Sequence, residues 1–288
     1  MELKNHIDFP YDIVFDTPKR LTDIRSWHGH IPFAFFLVQA LRPKVIVELG
    51  VHKGDSYCAF CQAVRKLKTE CRCYGIDTWK GDPQAGFYGE EVLEELRQFH
   101  DELFGHFSTL IRSYFDDALA HFADRSIDLL HIDGCHDYET VKHDFESWLP
   151  KVNKGGIVLL HDTAEKGKGF GVWKLWEEVS AGYPGFEFHH SHGLGMLVVG
   201  REIPETLSPF FRGSERDKHL IRAFFSTLGD AILYRNLARE LQDQVAYLGE
   251  LAERHKEMIK ERDRQIMRLQ EYVGRLEHRE RSRVGEGQ

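Results

Sequence analysis

The sequence predicts an α/β protein built on a doubly wound, mainly parallel sheet, followed by a C-terminal α-helical coiled coil. Short apolar runs alternate with segments of helical periodicity between residues 31 and 160, which is the order of elements that a parallel sheet requires. Several apolar runs end in an acidic or histidine residue, as strands do where their carboxyl ends line a ligand site. Near Leu241 an apolar repeat of seven residues begins. These observations predict one sheet domain and one separate helical segment.

Composition narrows the class of protein. Of 288 residues, 42% are hydrophobic and 12% aromatic, which is enough for a packed core and excludes a disordered chain. The net charge of -8 argues against a general nucleic-acid binder. Neither a signal peptide nor an apolar run of membrane-spanning length is recognisable, so a cytoplasmic location is expected. Cys58 and Cys61 lie three residues apart on a predicted helix; a zinc site is conceivable, but reduced core cysteines explain the spacing more simply.

The first half of the sheet domain contains three predicted strands. A helix is predicted over residues 31–41, with Pro32 near its start and Arg42-Pro43 ending it, and the first strand follows at 45–49. The remaining predicted elements of this half are a helix over 56–66, a strand over 73–77, a helix over 90–104 and a strand with its loop over 108–114.

The second half repeats the alternation and then changes direction. The predicted elements are a helix over 116–122, a strand over 127–132, a helix over 138–149 and a strand over 157–160. Two further runs, at 186–189 and 195–199, flank a turn near Gly193 and predict an antiparallel pair that ends the sheet.

The turn at residues 48–56, ELGVHKGDS, is the most informative segment. A buried strand ends in Glu48 and then breaks into glycines. Gly50 and Gly54 allow a sharp turn and a close approach of the backbone to a ligand, while the N–H groups of the next helix attract a carboxylate or phosphate. The simpler alternative is an ordinary strand-to-helix turn.

Three motifs resemble those of class I S-adenosylmethionine-dependent methyltransferases. The turn at residues 48–56, with Asp77 at the end of the second strand, is similar to the first two motifs of that class. The segments HIDGCHDY at 131–138 and GGIVLLHDT at 155–163 resemble the branch that contains macrocin-type sugar O-methyltransferases and, more distantly, catechol O-methyltransferases. The resemblance covers residues 31–200 and implies a Rossmann-like methyltransferase domain.

The resemblance implies S-adenosylmethionine as cofactor. Asp77 can accept both ribose hydroxyls, although a helix cap is an alternative role. The Gly-x-x-x-Gly spacing, without a third glycine at the expected place, favours the methyl donor over NAD. In the family a residue after the third strand unit contacts adenine, and Ser113 or Asp116 occupies that region. The residues expected to contact the cofactor are Glu48, Gly50, His52, Gly54, Ser56, Asp77, Trp79, Ser113 and Asp133.

The predicted chemistry lies at Asp133, His136, His161 and Asp162. Asp133 and Asp162 end adjacent predicted strands, so their carboxylates can converge on a divalent metal such as Mg²⁺ or Mn²⁺. His161 is the expected third ligand, although the metal-dependent branch usually carries a carboxylate there. Three explanations of this histidine remain open. The metal is Mn²⁺, Fe²⁺ or Zn²⁺, or His161 contacts the ligands without binding the metal itself, or the dependence on a metal has been lost. His136 stands where the family places its general base, and an imidazole of near-neutral pKa suits that role.

Two segments are predicted to border the acceptor. Residues 77–89 are rich in glycine and aromatics, which suits a mobile loop that stacks on adenine or a sugar ring. Residues 170–176 could line the acceptor side, with Trp176 in the core because Val172, Leu175 and Val179 share its helical spacing. The resemblance favours a glycan or glycosylated small molecule as acceptor, and a glycosyltransferase as a partner.

The C-terminal segment carries a heptad repeat. Residues Val245, Ala252, Ile259, Ile266 and Val273 recur every seven positions, and Leu241, Leu248, Leu269 and Leu276 fill the alternate position. This pattern predicts a homo-oligomer, a dimer or trimer, through a coiled coil. β-Branched residues at a and leucine at d favour a parallel dimer, but His255 and Arg262 interrupt the d positions. A single amphipathic helix packed on the sheet domain is the alternative. An excess of basic residues over 253–283 also permits weak attraction to the inner face of the membrane.

The domain organisation and function follow from these elements. We expect an N-terminal extension (1–30), a methyltransferase domain (31–205), a helical connector (206–236), a coiled coil (237–280) and a frayed tail (281–288). The expected function is metal-assisted methylation of a sugar hydroxyl, in a polysaccharide or a glycosylated metabolite. Two alternatives remain open: a methyltransferase-like scaffold that has lost activity, and a hydroxylase-like relative of the same branch.

Overall fold

The computed structural model describes residues 11–82, 86–167 and 169–285. Within these ranges, the strands form one seven-stranded sheet and a separate two-stranded ribbon. The strands are β1 (Val45–Leu49), β2 (Arg72–Asp77), β3 (Gly81–Asp82), β4 (Gly86–Phe87), β5 (Ser108–Arg112), β6 (Ile127–Ile132), β7 (Val152–His161), β8 (Gly185–Phe188) and β9 (Leu194–Val198).

The large sheet has the order β5-β2-β1-β6-β7-β9-β8. Strands β5, β2, β1, β6 and β7 run parallel, whereas β9 is antiparallel to β7 and to β8. The chain therefore winds outward from β1 in both directions and finishes with a reversed strand, which confirms the predicted Rossmann-like fold. Because β1 lies at the switch in strand order, the turn after it opens into the crevice where such sheets bind ligands.

Helices cover both faces of the sheet. They are α1 (Ile31–Leu41), α2 (Asp55–Leu67), α3 (Glu90–Phe104), α4 (Phe115–Ala118), α5 (Tyr138–Trp148), α6 (Val172–Ser180), α7 (Ser208–Arg212) and α8 (Glu215–Gly285). Alternate strand residues serve different faces: in β1, Ile46 belongs to one buried cluster and Val47 to the other. In β7, Leu159 and Leu160 divide in the same way. Burial on both faces explains why the strands read as continuous apolar runs.

Several boundaries differ from the predicted ones. The largest difference is at β7, which begins at Val152, five residues before the predicted start. Gly155 adopts a φ of +77°, its N–H donates to the Val199 carbonyl, and the register with β6 shifts nearby. The glycine pair before the predicted strand thus lies at an irregularity within β7 rather than ahead of it. The predicted helix over 116–122 is a single α-helical turn, α4, continued by a 3₁₀ turn to His121.

The described part of the N-terminal extension packs against the sheet domain. Ile13 and Trp27 are buried in the main core. The Thr22 amide and hydroxyl both donate to Asp55 at the start of α2, and His28 Nε2 lies 3.0 Å from the same carboxylate. This segment therefore supports the helix that follows the glycine turn. Residues 1–10 lie outside the described residues.

The chain divides into two units, Met1–Leu233 and Tyr234–Gln288. In the first unit, the beginning of α8 contributes Phe225 and Ile232 to the core, where Phe225 contacts Phe33 and Phe188. The second unit is the continuation of α8, helical to Gly285, and residues 286–288 of the predicted frayed tail lie outside the described residues. In the described ranges, no helix combines the length and apolar character needed to cross a bilayer.

Candidate active site

A cavity of about 740 Å³ opens at the carboxyl ends of the parallel strands. One part of its lining comes from the glycine turn and Asp77, and another from Asp133, His136, His161 and Asp162. The rest of the lining comes mainly from the segments after β5 and β7, from α5 and from the N-terminal segment. The structure thus brings together the two groups of residues that the sequence assigned to cofactor and acceptor.

The glycine turn is held in one conformation by close backbone packing. Gly50 has a φ of +87° and Gly54 a φ of +84°, a region that side-chain-bearing residues rarely adopt. A Cβ on Gly50 would lie 2.0 Å from the Asp133 carbonyl oxygen, and the Asp133 N–H donates to the Leu49 carbonyl. Gly50 therefore joins the turn directly to the strand end that carries Asp133.

Asp77 binds the turn itself. Its Oδ2 accepts from the amides of Val51 (2.9 Å) and His52 (2.8 Å), and its Oδ1 accepts from the Trp79 amide (2.7 Å). None of these three amides belongs to the first turn of a helix, so Asp77 does not act as a helix cap in these contacts. Asp77 also lines the cavity, and its carboxylate has further lone pairs that can accept hydrogen bonds there.

His52 lines the cavity in a left-handed conformation (φ +49°) and stacks on Tyr88, with ring centroids 4.7 Å apart. In the loop predicted over 77–89, Thr78, Gly81 and Tyr88 also line the cavity. Pro83, Gln84 and Ala85 lie outside the described residues.

Three residues expected to contact the cofactor do not line the cavity. Glu48 is fully buried beneath the turn, where it accepts from Ser56 Oγ (2.7 Å) and faces His131. Trp79 belongs to the main core, and its indole N–H donates to the His52 carbonyl, so it supports the turn from below. The hydroxyl of Ser113 donates to the Tyr114 carbonyl, whereas Asp116, the alternative for this region, lines the cavity.

The acid and histidine residues form one tight cluster. His136 Nε2 lies 2.8 Å from Asp162 Oδ2 and 3.7 Å from Asp133 Oδ1. His161 Nδ1 lies 3.3 Å from Asp133 Oδ1 and 3.4 Å from Asp162 Oδ1. Nδ1 of His136 is buried without a hydrogen-bond partner among the described residues. Phe170 stacks on the His136 ring at 4.8 Å, and the Gly171 amide donates to the His136 carbonyl.

The two carboxylates and two imidazoles stabilise one another's charged forms. Burial alone would lower the pKa of His136, but Asp133 and Asp162 raise it to about 10. Burial likewise opposes a charge on His161, yet the same two carboxylates raise its pKa well above the ordinary value. In return, against the effect of burial, the charge of His161 holds the pKa of Asp162 at about 2 and that of Asp133 well below its usual range. The near-neutral pKa expected for His136 is therefore wrong for this cluster, because two anions face it.

The donor set fits a divalent cation. Ligand atoms of Asp133, His136 and Asp162 lie within 4.8 Å of one another. Two carboxylate oxygens and one imidazole nitrogen suit Mn²⁺, Fe²⁺ or Zn²⁺ better than Mg²⁺. His161, the predicted third ligand, is not in this set: its Nε2 contacts the Ser191 carbonyl at 3.1 Å, and its Nδ1 faces the carboxylates as an ion-pair partner. His136 takes the position in the set that was expected of His161.

Asp144 is a cavity residue that the sequence reasoning missed. It is 4% exposed, lines the cavity from α5, and its Oδ2 has no hydrogen-bond partner among the described residues. Burial raises its pKa to about 7. The signal was present in the sequence: Val141, Phe145 and Trp148 form the buried stripe of this helix, and Asp144 interrupts it at a core position.

Of residues 170–176, which were predicted to line the acceptor side, Phe170 lines the cavity, while Trp176 is buried in the core as expected. Glu165 and His192, which sequence reasoning did not single out, face each other at the cavity edge with 2.6 Å between Oε1 and Nδ1.

Four of the five cysteines are buried free thiols, and Cys135 is half-buried.

Comparison with known families finds one match to this region. Residues 47–163 match the family model described as a methyltransferase domain. The matched range begins in β1 and ends directly after Asp162, so it contains the glycine turn, Asp77 and all four residues of the acid and histidine cluster.

An uncharacterized protein of Sinorhizobium fredii is 49% identical over 187 residues, which are 65% of this chain and 20% of that protein. The chain therefore spans about a fifth of that relative's length. An O-methyltransferase from Bacillus cereus in complex with S-adenosylhomocysteine aligns at 15% identity and a TM-score of 0.47, covering 62% of this chain and 82% of the other. TomG, an O-methyltransferase from Streptomyces achromogenes involved in tomaymycin synthesis, aligns at 12% identity and a TM-score of 0.46, covering 63% and 92%.

Proposed function

We propose that this chain is an S-adenosylmethionine-dependent O-methyltransferase that acts on a sugar hydroxyl. One observation carries the proposal: a single cavity joins a glycine turn braced by Asp77 to the cluster of Asp133, His136 and Asp162. The match of residues 47–163 to a methyltransferase domain covers both parts of that cavity.

The turn and Asp77 would hold the methyl donor. Gly50 and Gly54 let the turn pack directly against the Asp133 carbonyl and the Leu96 side chain, where a Cβ would clash, and so fix the backbone N–H groups of the turn at the cavity. Asp77 is 7% exposed and already fixed by three backbone amides, so its carboxylate is positioned before the ligand arrives. Free lone pairs on that carboxylate suit the two ribose hydroxyls.

His136 would accept the proton of the acceptor hydroxyl. S-adenosylmethionine supplies an electrophilic methyl group: the acceptor oxygen bonds to the methyl carbon as the carbon–sulfur bond breaks, and the hydroxyl proton must leave. In its neutral form His136 offers Nε2, the nitrogen that lies 2.8 Å from Asp162 Oδ2 beside the cavity, to the hydroxyl proton, and the carboxylate then stabilises the resulting imidazolium. Phe170 keeps the ring in this orientation by stacking.

Asp133 and Asp162 would hold a divalent cation through their carboxylates, which would leave Nε2 of His136 beside it free for the proton. Such a cation, when bound, lowers the pKa of an acceptor hydroxyl and orients its oxygen. The two carboxylates would then share their charge with it, so the pKa of His136 would move back from about 10 toward its ordinary value. Both effects favour proton transfer to His136 at neutral pH.

The remaining lining suits a sugar. Tyr114 is 60% exposed and offers an aromatic face beside the cavity, and sugar rings stack on such faces. Glu165 and His192, both partly exposed at the edge, offer hydrogen-bonding groups for further hydroxyls. The resemblance of residues 131–138 and 155–163 to macrocin-type enzymes points to the same acceptor class.

The test combines binding and turnover. We expect calorimetry to show one S-adenosylmethionine site per chain, and labelled methyl to appear in a sugar or polysaccharide from an acceptor panel, with turnover reduced by a chelator and restored by Mn²⁺. Absence of S-adenosylmethionine binding would support a scaffold instead. An altered acceptor without labelled methyl would support hydroxylase-like chemistry.

A further inference from the structure

The second unit carries a long apolar stripe with no partner in the described part of the chain. Eight large apolar side chains of α8 are 42% to 70% exposed: Leu241, Val245, Leu248, Ile259, Ile266, Leu269, Val273 and Leu276. Together with Ala238, Ala252, His255 and Arg262 they occupy every a and d position of the heptads from 238 to 276, and we call these twelve residues the heptad stripe.

The period of the stripe restricts what can cover it. A straight α-helix has 3.6 residues per turn, so a strict seven-residue repeat drifts around a straight helix over several turns. The drift disappears only when the helix supercoils around another helix. The heptad stripe keeps its period over more than five heptads, which favours a partner helix of equal length over a flat protein surface or a lipid surface.

We propose that the heptad stripe pairs with the same stripe of a second copy of this chain, in antiparallel orientation. In the register that pairs every a and d position, Ala238 lies opposite Leu276 of the second copy and Leu241 opposite Val273. The next layers pair Val245 with Leu269 and Leu248 with Ile266. Each apolar residue of the stripe outside the central layers then meets another apolar residue.

The polar d residues decide the orientation. In a parallel pair equivalent positions meet, so Arg262 would face Arg262 and His255 would face His255 in the interface. Desolvating two facing guanidinium groups is costly. In the antiparallel register Arg262 lies opposite Ala252, whose small side chain leaves room for the arginine stem to reach solvent, and His255 lies opposite Ile259.

The residues that flank the heptad stripe also favour the antiparallel orientation. In the antiparallel register, Met258 meets Met258 of the second copy across the twofold axis, and Asp263 lies beside Gly249. A parallel pair would instead set Met258 against Asp263 and Leu251 against Lys256. The proposal goes beyond the methyltransferase function and does not depend on it, because none of these residues lies in the first unit.

The first experiment measures mass in solution by light scattering. The full chain of 33.5 kDa is expected at about twice that mass. The double substitution Ile259→Asp and Ile266→Asp should halve the measured mass. The matched control, Tyr247→Asp and Met267→Asp, changes two exposed residues off the stripe and should leave the dimer intact. A monomeric parent chain, a trimer, or equal effects of both double variants would overturn the proposal.

The second experiment tests orientation by cross-linking with a short bismaleimide. Leu241→Cys and Val273→Cys chains are co-expressed with tags of different mass, and the parent chain with its five native cysteines is the background control. Residues 241 and 273 are 32 positions apart, about 48 Å along a helix at 1.5 Å per residue. Only an antiparallel pair brings position 241 of one copy next to position 273 of the other.

The cross-linking outcomes separate cleanly. Antiparallel pairing gives the mixed product from the co-expressed chains and no product from either variant alone beyond the background. Homogeneous products from each single variant would show a parallel pair, and a dimer without any specific product would exclude the proposed register; either result overturns the proposal. Loss of S-adenosylmethionine binding in any variant bears on the first unit and leaves this test unaffected.

Discussion

Glu48 and His131 lie opposite each other on the neighbouring parallel strands β1 and β6, with 2.9 Å between Glu48 Oε2 and His131 Nδ1 and both side chains 0% exposed. Ser56 at the start of α2 donates to the same carboxylate, and the Trp27 indole N–H lies 3.2 Å from the other nitrogen of His131. Burial raises the pKa of Glu48. This buried network ties the glycine turn to the sheet and to the N-terminal segment.

Glu48→Ala should therefore lower the free energy of unfolding, and this loss should appear even when no cofactor is bound. Removing one partner of a buried pair leaves His131 and Ser56 unsatisfied, which costs about 3–5 kcal/mol in the free energy of unfolding measured in urea. Glu48→Gln keeps an acceptor for Ser56 and should cost less, with the Kd for S-adenosylmethionine within about threefold of the parent, on the order of 0.7 kcal/mol. A large loss of cofactor affinity in Glu48→Gln at unchanged stability would contradict the buried role.

Asp77→Ala should lower stability even when no cofactor is present. The substitution leaves the amides of Val51, His52 and Trp79 without their acceptor, and each hydrogen bond to a charged group contributes about 1.5–3 kcal/mol. We expect urea unfolding of the free protein to show a loss of about 3 kcal/mol or more, and calorimetry to show weaker binding of S-adenosylmethionine. Asp117→Asn, at an exposed carboxylate outside the cavity lining, is the matched control and should change neither quantity. If Asp77 served only the ribose, the free protein would keep its stability.

His136→Gln should abolish most methyl transfer while leaving cofactor affinity nearly unchanged. Loss of a general base reduces turnover by about 10²–10⁴-fold. When a chelator has removed any metal from the parent enzyme, the pKa of about 10 keeps His136 protonated at neutral pH. The pH profile of kcat should then rise with pH and have its midpoint near that value. Added Mn²⁺ should move this midpoint to lower pH, because the carboxylates of Asp133 and Asp162 would then be partly neutralised by the cation. A pH profile that is identical in His136→Gln would exclude this residue as the proton acceptor.

Asp144→Asn should stabilise the protein at alkaline pH. The pKa of Asp144 is raised to about 7 in the fold from an ordinary value of 3.8, so the folded state binds more protons than the unfolded state between those pH values. Ionisation of this carboxyl therefore lowers the free energy of unfolding as pH rises through this window, by about 4 kcal/mol once pH exceeds 7. The gain of Asp144→Asn over the parent should be full near pH 8 and vanish near pH 4 in urea unfolding. Glu146→Gln, an exposed carboxylate on the same helix, should show no such trend.

The order of the elements was predictable from the sequence because the central strands β1, β6, β7 and β9 are buried on both faces. Apolar runs such as the one at 45–49 cannot alternate with polar residues when helices cover both sides, so they stand out from the amphipathic helices between them. The glycine turn was equally visible, since Gly50 and Gly54 occupy conformations that other residues avoid. Strand ends at Asp77, Asp133 and Asp162 then placed the site at one edge of the sheet.

Contacts between distant residues could not be predicted in the same way. Glu48 reads as a ligand residue because it precedes a glycine turn, and only the pairing of β1 with β6 reveals that His131 occupies its carboxylate. His161 reads as a metal ligand, and only the approach of Ser191 to its Nε2 shows which nitrogen is free to face the carboxylates. Trp79 reads as a stacking residue, and its burial depends on the position of the turn above it.

By itself, the sequence determined the sheet, its ligand edge and the heptad period of the C-terminal helix, because these follow from patterns between neighbours along the chain. The tertiary structure alone decided the partners of Glu48, the charge balance among Asp133, His136, His161 and Asp162, and the buried carboxyl of Asp144. Each of these depends on the separation and solvation of groups that lie far apart in sequence. Electrostatic energy varies with both quantities, and neither is written in the order of residues.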